Sequence, residues 1–295
     1  MIKNPIVHIA AATSMFFWGF TYIWSKLVFE TYTPLTTITI RLSLSFIALF
    51  AYLLITNQFE KIKKEHRKLL LISSIFNPFL YFLGEYYGLD RVSASLSAVI
   101  ISTIPIFTAF AARRFFNEKL SLLNILGLIV SFGGVLMLIF KEDFSLNASP
   151  LGLLFLFLAV FSAVIYSVMV KKLTDHYSPI TIIANQNLIG ALLFLPLFLT
   201  IDFVSFISII PDTVTILSLF MLAIFGSSVC YVLYAFVIKN LELSKANIYT
   251  NLIPIFAGIS SYFFLDEKFN SLKIIGMLTV ISGIILSQLK FKSKI

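Results

Sequence analysis

Ten stretches of this chain carry no Asp, Glu, Lys or Arg: 5–25, 42–59, 69–84, 92–112, 120–140, 144–170, 176–201, 213–238, 246–265 and 274–289. Crossing a hydrocarbon core ~30 Å thick takes ~17–25 apolar residues as helix, and snorkelling end residues extend the shorter stretches. The stretches do not alternate apolar and polar with period two, and Ile125–Phe140 is a plain case, so the strands of a membrane barrel fit poorly. The pattern predicts an all-α integral membrane protein with ten transmembrane helices, five in each half. The first stretch is too long for a signal peptide and lacks a small-residue cleavage site, so it reads as the first span.

The chain repeats itself. Ile104-Pro105-Ile106-Phe107, Glu118-Lys119, Gly127 and Gly134 recur as Ile253-Pro254-Ile255-Phe256, Glu267-Lys268, Gly276 and Gly283, without gaps, at an offset of 149. Tyr32-Thr33-Pro34 opens the first half and Tyr177-Ser178-Pro179 opens the second. The expected units are residues 5–141 (spans one to five) and 149–290 (spans six to ten). A duplicated, strongly apolar chain is characteristic of transporters.

Composition agrees, with 59% hydrophobic and 12% charged residues and a mean hydropathy of +0.98; a soluble domain carries roughly 25% charge. The net charge of +8 would suggest nucleic acid as a partner, but the placement of the charges argues against it. With the N-terminus in the cytoplasm, 16 of the 22 Lys and Arg fall on inner segments and 5 on outer ones, with Arg41 inside a span. This bias satisfies the positive-inside rule and puts both termini in the cytoplasm of a multi-pass protein of the cell membrane. Five spans per half is odd, so the second half enters from the opposite side: the halves are inverted-topology repeats. The single cysteine, Cys230, lies in a predicted span, which excludes a disulfide framework and a Cys-based metal cluster.

The ordered set Trp18-Gly19-Phe20 with Lys26, Pro34 with Arg41, Pro105, Glu118, Gly127 and Gly134, then Pro179, Pro254, Glu267, Gly276 and Gly283, resembles the drug/metabolite transporter superfamily, in particular permeases with two EamA-type repeats. The second half departs from the pattern at Gln186, where the first has Arg41, and at Ala163-Val164, where it has Trp18-Gly19. The resemblance implies a carrier of small organic solutes whose central cavity is surrounded by the third, fourth, eighth and ninth helices with the first and sixth. It also implies exporters of amino acids and other metabolites as relatives, with carriers of sugars, nucleotide-type or drug-like compounds as the alternative.

Pro105 and Pro254 fall near the centres of spans four and nine. Each removes a backbone donor and clashes with the carbonyl four residues back, at Ile101 and Thr250. Such a carbonyl needs a neighbour or a polar cavity, so the pair reads either as a functional kink or as packing alone. Arg41 and Glu85 lie inside spans at similar depth, and a mid-span charge costs about 2.5–3.5 kcal/mol on insertion scales. Either Glu85 takes a proton or a substrate amine while Arg41 takes a carboxylate or locks a gate, or the two form a structural ion pair. Asn247, Thr250 and Asn251 share the i, i+3, i+4 face of a regular helix, as a polar cavity wall or an interhelical patch. The run Asn185-Gln186-Asn187 spreads round its helix and reads as structural. Trp18, Tyr22, Trp24, Tyr81, Tyr86 and Tyr231 supply aromatic surface with polar tips, and Tyr81 shares a face with Glu85. The paired glycines, seven apart, read as packing seams, and Glu118-Lys119 and Glu267-Lys268, at span ends, as caps or interfacial pairs.

No Gly-rich loop with Lys and Ser/Thr is present for ATP. His8, His66 and His176 have no spacing that builds a metal site or an acid–base pair. An enzyme and a non-transporting scaffold are therefore the weaker classes. A secondary transporter that uses no cofactor, whose partners are a small-molecule substrate and membrane lipid, and which either couples to a proton or other ion or works as a uniporter, is the leading one.

Overall fold

A computed structural model describes residues 5–117, 122–139, 148–268 and 270–288, and among them every regular element is helical. In chain order these are α1 (Pro5–Phe29), α2 (Pro34–Ile55), α3 (Lys64–Arg91), α4 (Ala94–Phe116), α5 (Leu122–Ile139), α6 (Pro150–Thr174), α7 (Pro179–Ile201), a short helix Phe203–Ser208, and α8 (Thr213–Asn240). Then come α9, built from Leu243–Ile248, Tyr249–Leu252 and Ile253–Phe264, and α10 (Ser271–Gln288). Seven of these, α1 to α4 and α6 to α8, are long and apolar enough on their own to cross a membrane. α5 and α10 carry the shorter apolar runs Ile125–Gly134 and Ile274–Gly283. α2 starts before Arg41 and α3 continues past Glu85, so the charge-free stretches are shorter than the helices. A single charge with hydrogen-bond partners does not end a helix.

The paired Tyr-Thr-Pro and Tyr-Ser-Pro motifs are helix starts. Thr33 accepts from the N–H of Thr36 at 3.1 Å and Pro34 opens α2. Ser178 caps α7 in the same way, with Pro179 in its first turn. A capping hydroxyl serves one orphan donor, and proline in the first turn has no N–H to lose.

Each of these starts is also clamped by a carboxylate from the other half. Asp202, just past α7, accepts from the Thr33 hydroxyl and, at 2.9 Å, from that of Thr36. Glu60, just past α2, accepts from the Ser178 N–H at 2.9 Å and its hydroxyl at 3.1 Å. α2 and α7 therefore run antiparallel, tied at both ends. Glu267, a span-end residue, caps a helix of the other half: it accepts from the Ala94 N–H at 2.8 Å and the Ser95 hydroxyl at 2.5 Å, at the start of α4. Its repeat partner Glu118, with Lys119, lies outside the described residues.

α5 and α10 pack on each other through the glycines. A Cβ on Gly134 would sit 2.6 Å from the Val280 nitrogen and 2.8 Å from the Gly276 oxygen; one on Gly283 would strike the Ser131 nitrogen and lie 2.7 Å from the Gly127 oxygen. Backbone meets backbone there, so neither side can yield. Gly283→Val is expected to lower stability by about 1–3 kcal/mol, as overpacking does, read as a fall in the thermal midpoint of detergent-purified protein. Gly133→Ala, whose added methyl meets nothing within 4 Å, should leave that midpoint unchanged or higher.

Candidate functional site

Four helices are interrupted at mid-length. In α3 the residue before Pro78, Asn77, is extended (φ −147°, ψ 119°) and the Asn77–Pro78 bond is cis. α4 breaks at Ser102–Thr103 and restarts at Ile104 with Pro105 in its first turn. α8 widens into a π-helix over Leu222–Val229, and α9 tightens into a 3₁₀ turn over Tyr249–Leu252 before restarting at Ile253 with Pro254. The prolines thus open new helical segments. They do not kink a continuous rod against the carbonyls of Ile101 and Thr250, because a first-turn proline displaces no helical hydrogen bond.

One cavity lies among these interruptions. α1 contributes Trp18, Thr21 and Tyr22, and α3 contributes Asn77, Tyr81, Phe82 and Glu85. Ile101 and Ile104 flank the break in α4, while Thr250 and Ile253 flank that in α9, with Asn247 a turn earlier. Ala163, Tyr166 and Ser167 of α6 and Tyr231 and Tyr234 of α8 complete the wall, and Arg41 enters from α2. Of the residues singled out in the sequence, Trp18, Tyr22, Arg41, Tyr81, Glu85, Tyr231, Asn247 and Thr250 converge here, while Trp24 and Tyr86 do not line the cavity. Asn251 does not line the cavity: it is buried elsewhere, with neither amide atom hydrogen-bonded. The 3₁₀ turn advances about 120° per residue where an α-helix advances about 100°, so the i+4 residue rotates off the face that Asn247 and Thr250 share.

Glu85 is 7% exposed and Arg41 2%, and no N···O contact within 4.0 Å joins them; among the described residues the ion pairs are His66–Glu65, Arg91–Asp90 and Lys245–Glu242. The reason is that each charge already has other partners. Glu85 Oε1 accepts from the hydroxyls of Tyr81 at 2.8 Å and Tyr22 at 3.2 Å. Arg41 donates from Nε to Ser227 Oγ at 2.7 Å and from Nη1 to the Tyr86 hydroxyl, with its guanidinium carbon 4.4 Å from the Phe82 ring centre and 5.2 Å from that of Tyr86. Glu85 Oε2 and Arg41 Nη2 have no hydrogen bond to the described residues. Both residues line the cavity, and each has one side-chain atom not hydrogen-bonded to a described residue.

The aromatic wall is held in place by its polar tips. Trp18 donates its indole N–H to the Gly226 carbonyl at 3.3 Å and meets the rings of Tyr231 and Tyr234 edge-on, both at 5.0 Å. Tyr234 donates to Asn247 Oδ1 at 2.9 Å, and the Asn247 amide donates to the Leu243 carbonyl at 2.9 Å. Tyr166 donates to Gln186, which donates in turn to Ser73. Asn77, Tyr166 and Tyr234 were not singled out in the sequence. An Asn-Pro pair inside an apolar span, and tyrosines in spans otherwise free of polar rings, are the signals that mark them. His8, His66 and His176 lie outside the lining, and the Cys230 thiol is buried against the Ser14 carbonyl.

The family model of EamA-like transporters matches the chain twice, over residues 5–140 and 150–289. A Bacillus subtilis protein named "Uncharacterized transporter YoaV" is 26% identical over 278 residues, 94% of each chain. A chloroplastic WAT1-related protein of Arabidopsis thaliana is 31% identical over 207 residues, 68% of this chain and 49% of its own. An uncharacterized transporter of Archaeoglobus fulgidus is 22% identical across 97% of this chain and 99% of its own. A crystal structure at 12% identity superposes with a TM-score of 0.73 over 97% of both chains, a likeness of fold. With the family domain present twice and helices that suit a bilayer, the chain belongs to the EamA-like transporter family, as a multi-pass membrane transporter of the drug/metabolite type.

Proposed function

We propose that the chain is a secondary transporter that exports amino acids or related small compounds across the cytoplasmic membrane by alternating access. Its two five-helix repeats, 5–141 and 149–290, are inverted, and both termini face the cytoplasm. The observation that carries the reading is the separation of Arg41 from Glu85. Two buried charges that do not neutralise each other, each with an unused hydrogen-bonding atom at one cavity, match a small molecule bearing both a carboxylate and an amine. The amine end lies towards Glu85, Tyr22 and Tyr81, the carboxylate end towards Arg41, and the Trp18, Tyr231 and Tyr234 rings cover the middle. The breaks beside Pro105 and Pro254 are the points at which the repeats flex. The antiparallel clamps of Asp202 and Glu60 support the inverted arrangement.

Comparison of media from cells with and without the gene identifies the solute. The expected difference is in zwitterionic compounds, and a difference confined to neutral sugars or to compounds lacking either charge overturns the reading. In liposomes, Glu85→Gln and Arg41→Gln are each expected to slow transport of that solute at least about tenfold, the scale of a lost hydrogen bond to a charged group, ~1.5–3 kcal/mol. The double variant should transport no better than the worse single one. Recovery in the double variant would show that the charges serve only each other. Topology is checked by reporter fusions: those after residues 62, 116 and 292 should report cytoplasm, and those after 90 and 143 the outside.

A further inference from the structure

We infer that Asn187, on α7 of the second half, is a positioning residue that aims the Arg41 guanidinium at the cavity through the π-helical segment of α8. The inference rests on the reading of Arg41 as the group that receives the solute's anionic end. Asn187 does not line the cavity, and the sequence reads it as structural.

The side chain is 4% exposed, and its amide nitrogen has two hydrogens with two acceptors: Ser45 Oγ at 2.6 Å and the Ser227 carbonyl at 3.1 Å. Ser227 is also the residue whose hydroxyl receives Arg41 Nε at 2.7 Å. Asn187 thus holds the main chain of the residue whose side chain holds Arg41. The second acceptor closes the loop, since Ser45 Oγ lies 2.6 Å from Ser228 Oγ, which donates to the Ala223 carbonyl five residues back. Ser45 is one turn beyond Arg41 on α2, so α2, α7 and α8 are tied around one guanidinium.

The π-helix makes this possible. A π-turn shifts backbone pairing away from i→i−4 and presents carbonyls to side chains, which is why such turns occur at functional sites. Within Leu222–Val229 the Gly226 carbonyl accepts from Trp18 and the Ser227 carbonyl from Asn187. At the neighbouring residue, a Cβ on Gly226 would lie 2.9 Å from Arg41 Nη2 and 2.8 Å from Thr21 Cγ2. The segment therefore sets the position of Arg41 in two ways, by a hydrogen bond at Ser227 and by the absence of a side chain at Gly226. In a chain whose halves are related by duplication, Arg41 belongs to the first half and its positioning group to the second.

The test uses full-length protein in nanodiscs with ¹⁵N-labelled arginine, of which the chain has 5, and reads hydrogen exchange of the Arg41 Nε–H, assigned by its loss in Arg41→Lys. In the parent this hydrogen should be protected. In Asn187→Ala its exchange should rise about tenfold, the scale of weakening one hydrogen bond to a charged group, and Asn187→Gln, which keeps the amide donor, should recover part of the protection. Acetate, as a bare carboxylate probe, should shift the Arg41 resonance in the parent and bind about tenfold more weakly in Asn187→Ala. Gly226→Ala should raise the exchange as well, and serves if Asn187→Ala does not fold. Parental exchange in whichever of these variants folds overturns the inference, even if thermal stability falls. Acetate that leaves the parent resonance unmoved argues against the anion-binding reading of Arg41, while the exchange rates still decide the role of Asn187.

Discussion

Lipid offers no hydrogen-bond partner to a peptide group, so a chain in the hydrocarbon core must satisfy its backbone within itself. Everything else in this structure is arranged around that constraint. It makes each element a helix, and it confines departures from helical pairing to places where another part of the protein or a polar space takes over. The interruptions of α3, α4, α8 and α9 obey it by converging. Asn77, Ile101, Ile104, Thr250 and Ile253 line one cavity, and the carbonyls of the α8 π-segment are taken by Trp18 and Asn187. The irregular backbone and the candidate site are therefore the same region seen at two scales.

The same low-dielectric surroundings make the two buried charges expensive, by several kcal/mol for each ion left without compensation. For Glu85 two tyrosine hydroxyls offset part of that cost. For Arg41 a serine, a tyrosine and the faces of Phe82 and Tyr86 do so, a cation–π contact adding up to about 2 kcal/mol where water is excluded. Direct neutralisation would be simpler and is not used. Keeping the charges apart leaves one hydrogen-bonding atom on each uncommitted, which is the feature that gives the cavity chemical selectivity in the proposed function.

Duplication supplies the scaffold and divergence supplies the chemistry. The helix starts at Pro34 and Pro179, the reciprocal clamps of Asp202 and Glu60, and the glycine seam between α5 and α10 are shared devices of the two halves. At the position matching Arg41 the second half has Gln186, which bonds to Tyr166 and Ser73 and leaves no net charge. Two similar halves thus enclose a site that is polar in character on both sides but charged from one half only.

Helical class, the duplication and the packing glycines were legible in the sequence because each depends on local composition or on a spacing the chain states twice. A run of apolar residues without alternation can satisfy its backbone in lipid only as helix, and a glycine repeated every seventh residue marks one helical face. Eight of the cavity's lining residues were legible too, as polar or ionisable side chains inside apolar spans, where their cost demands a reason. The tertiary structure alone decided who partners whom. The sequence put Arg41 and Glu85 at similar depth, but depth does not say which neighbour arrives first, and Tyr22, the Tyr81–Tyr86 segment and Ser227 come from three different stretches of chain. Asn251 fell off the predicted face because the 3₁₀ turn Tyr249–Leu252 alters the angular step. Asn187 looked structural because its effect on the site passes through the backbone of a residue forty positions away, a relation that only the folded chain brings into contact.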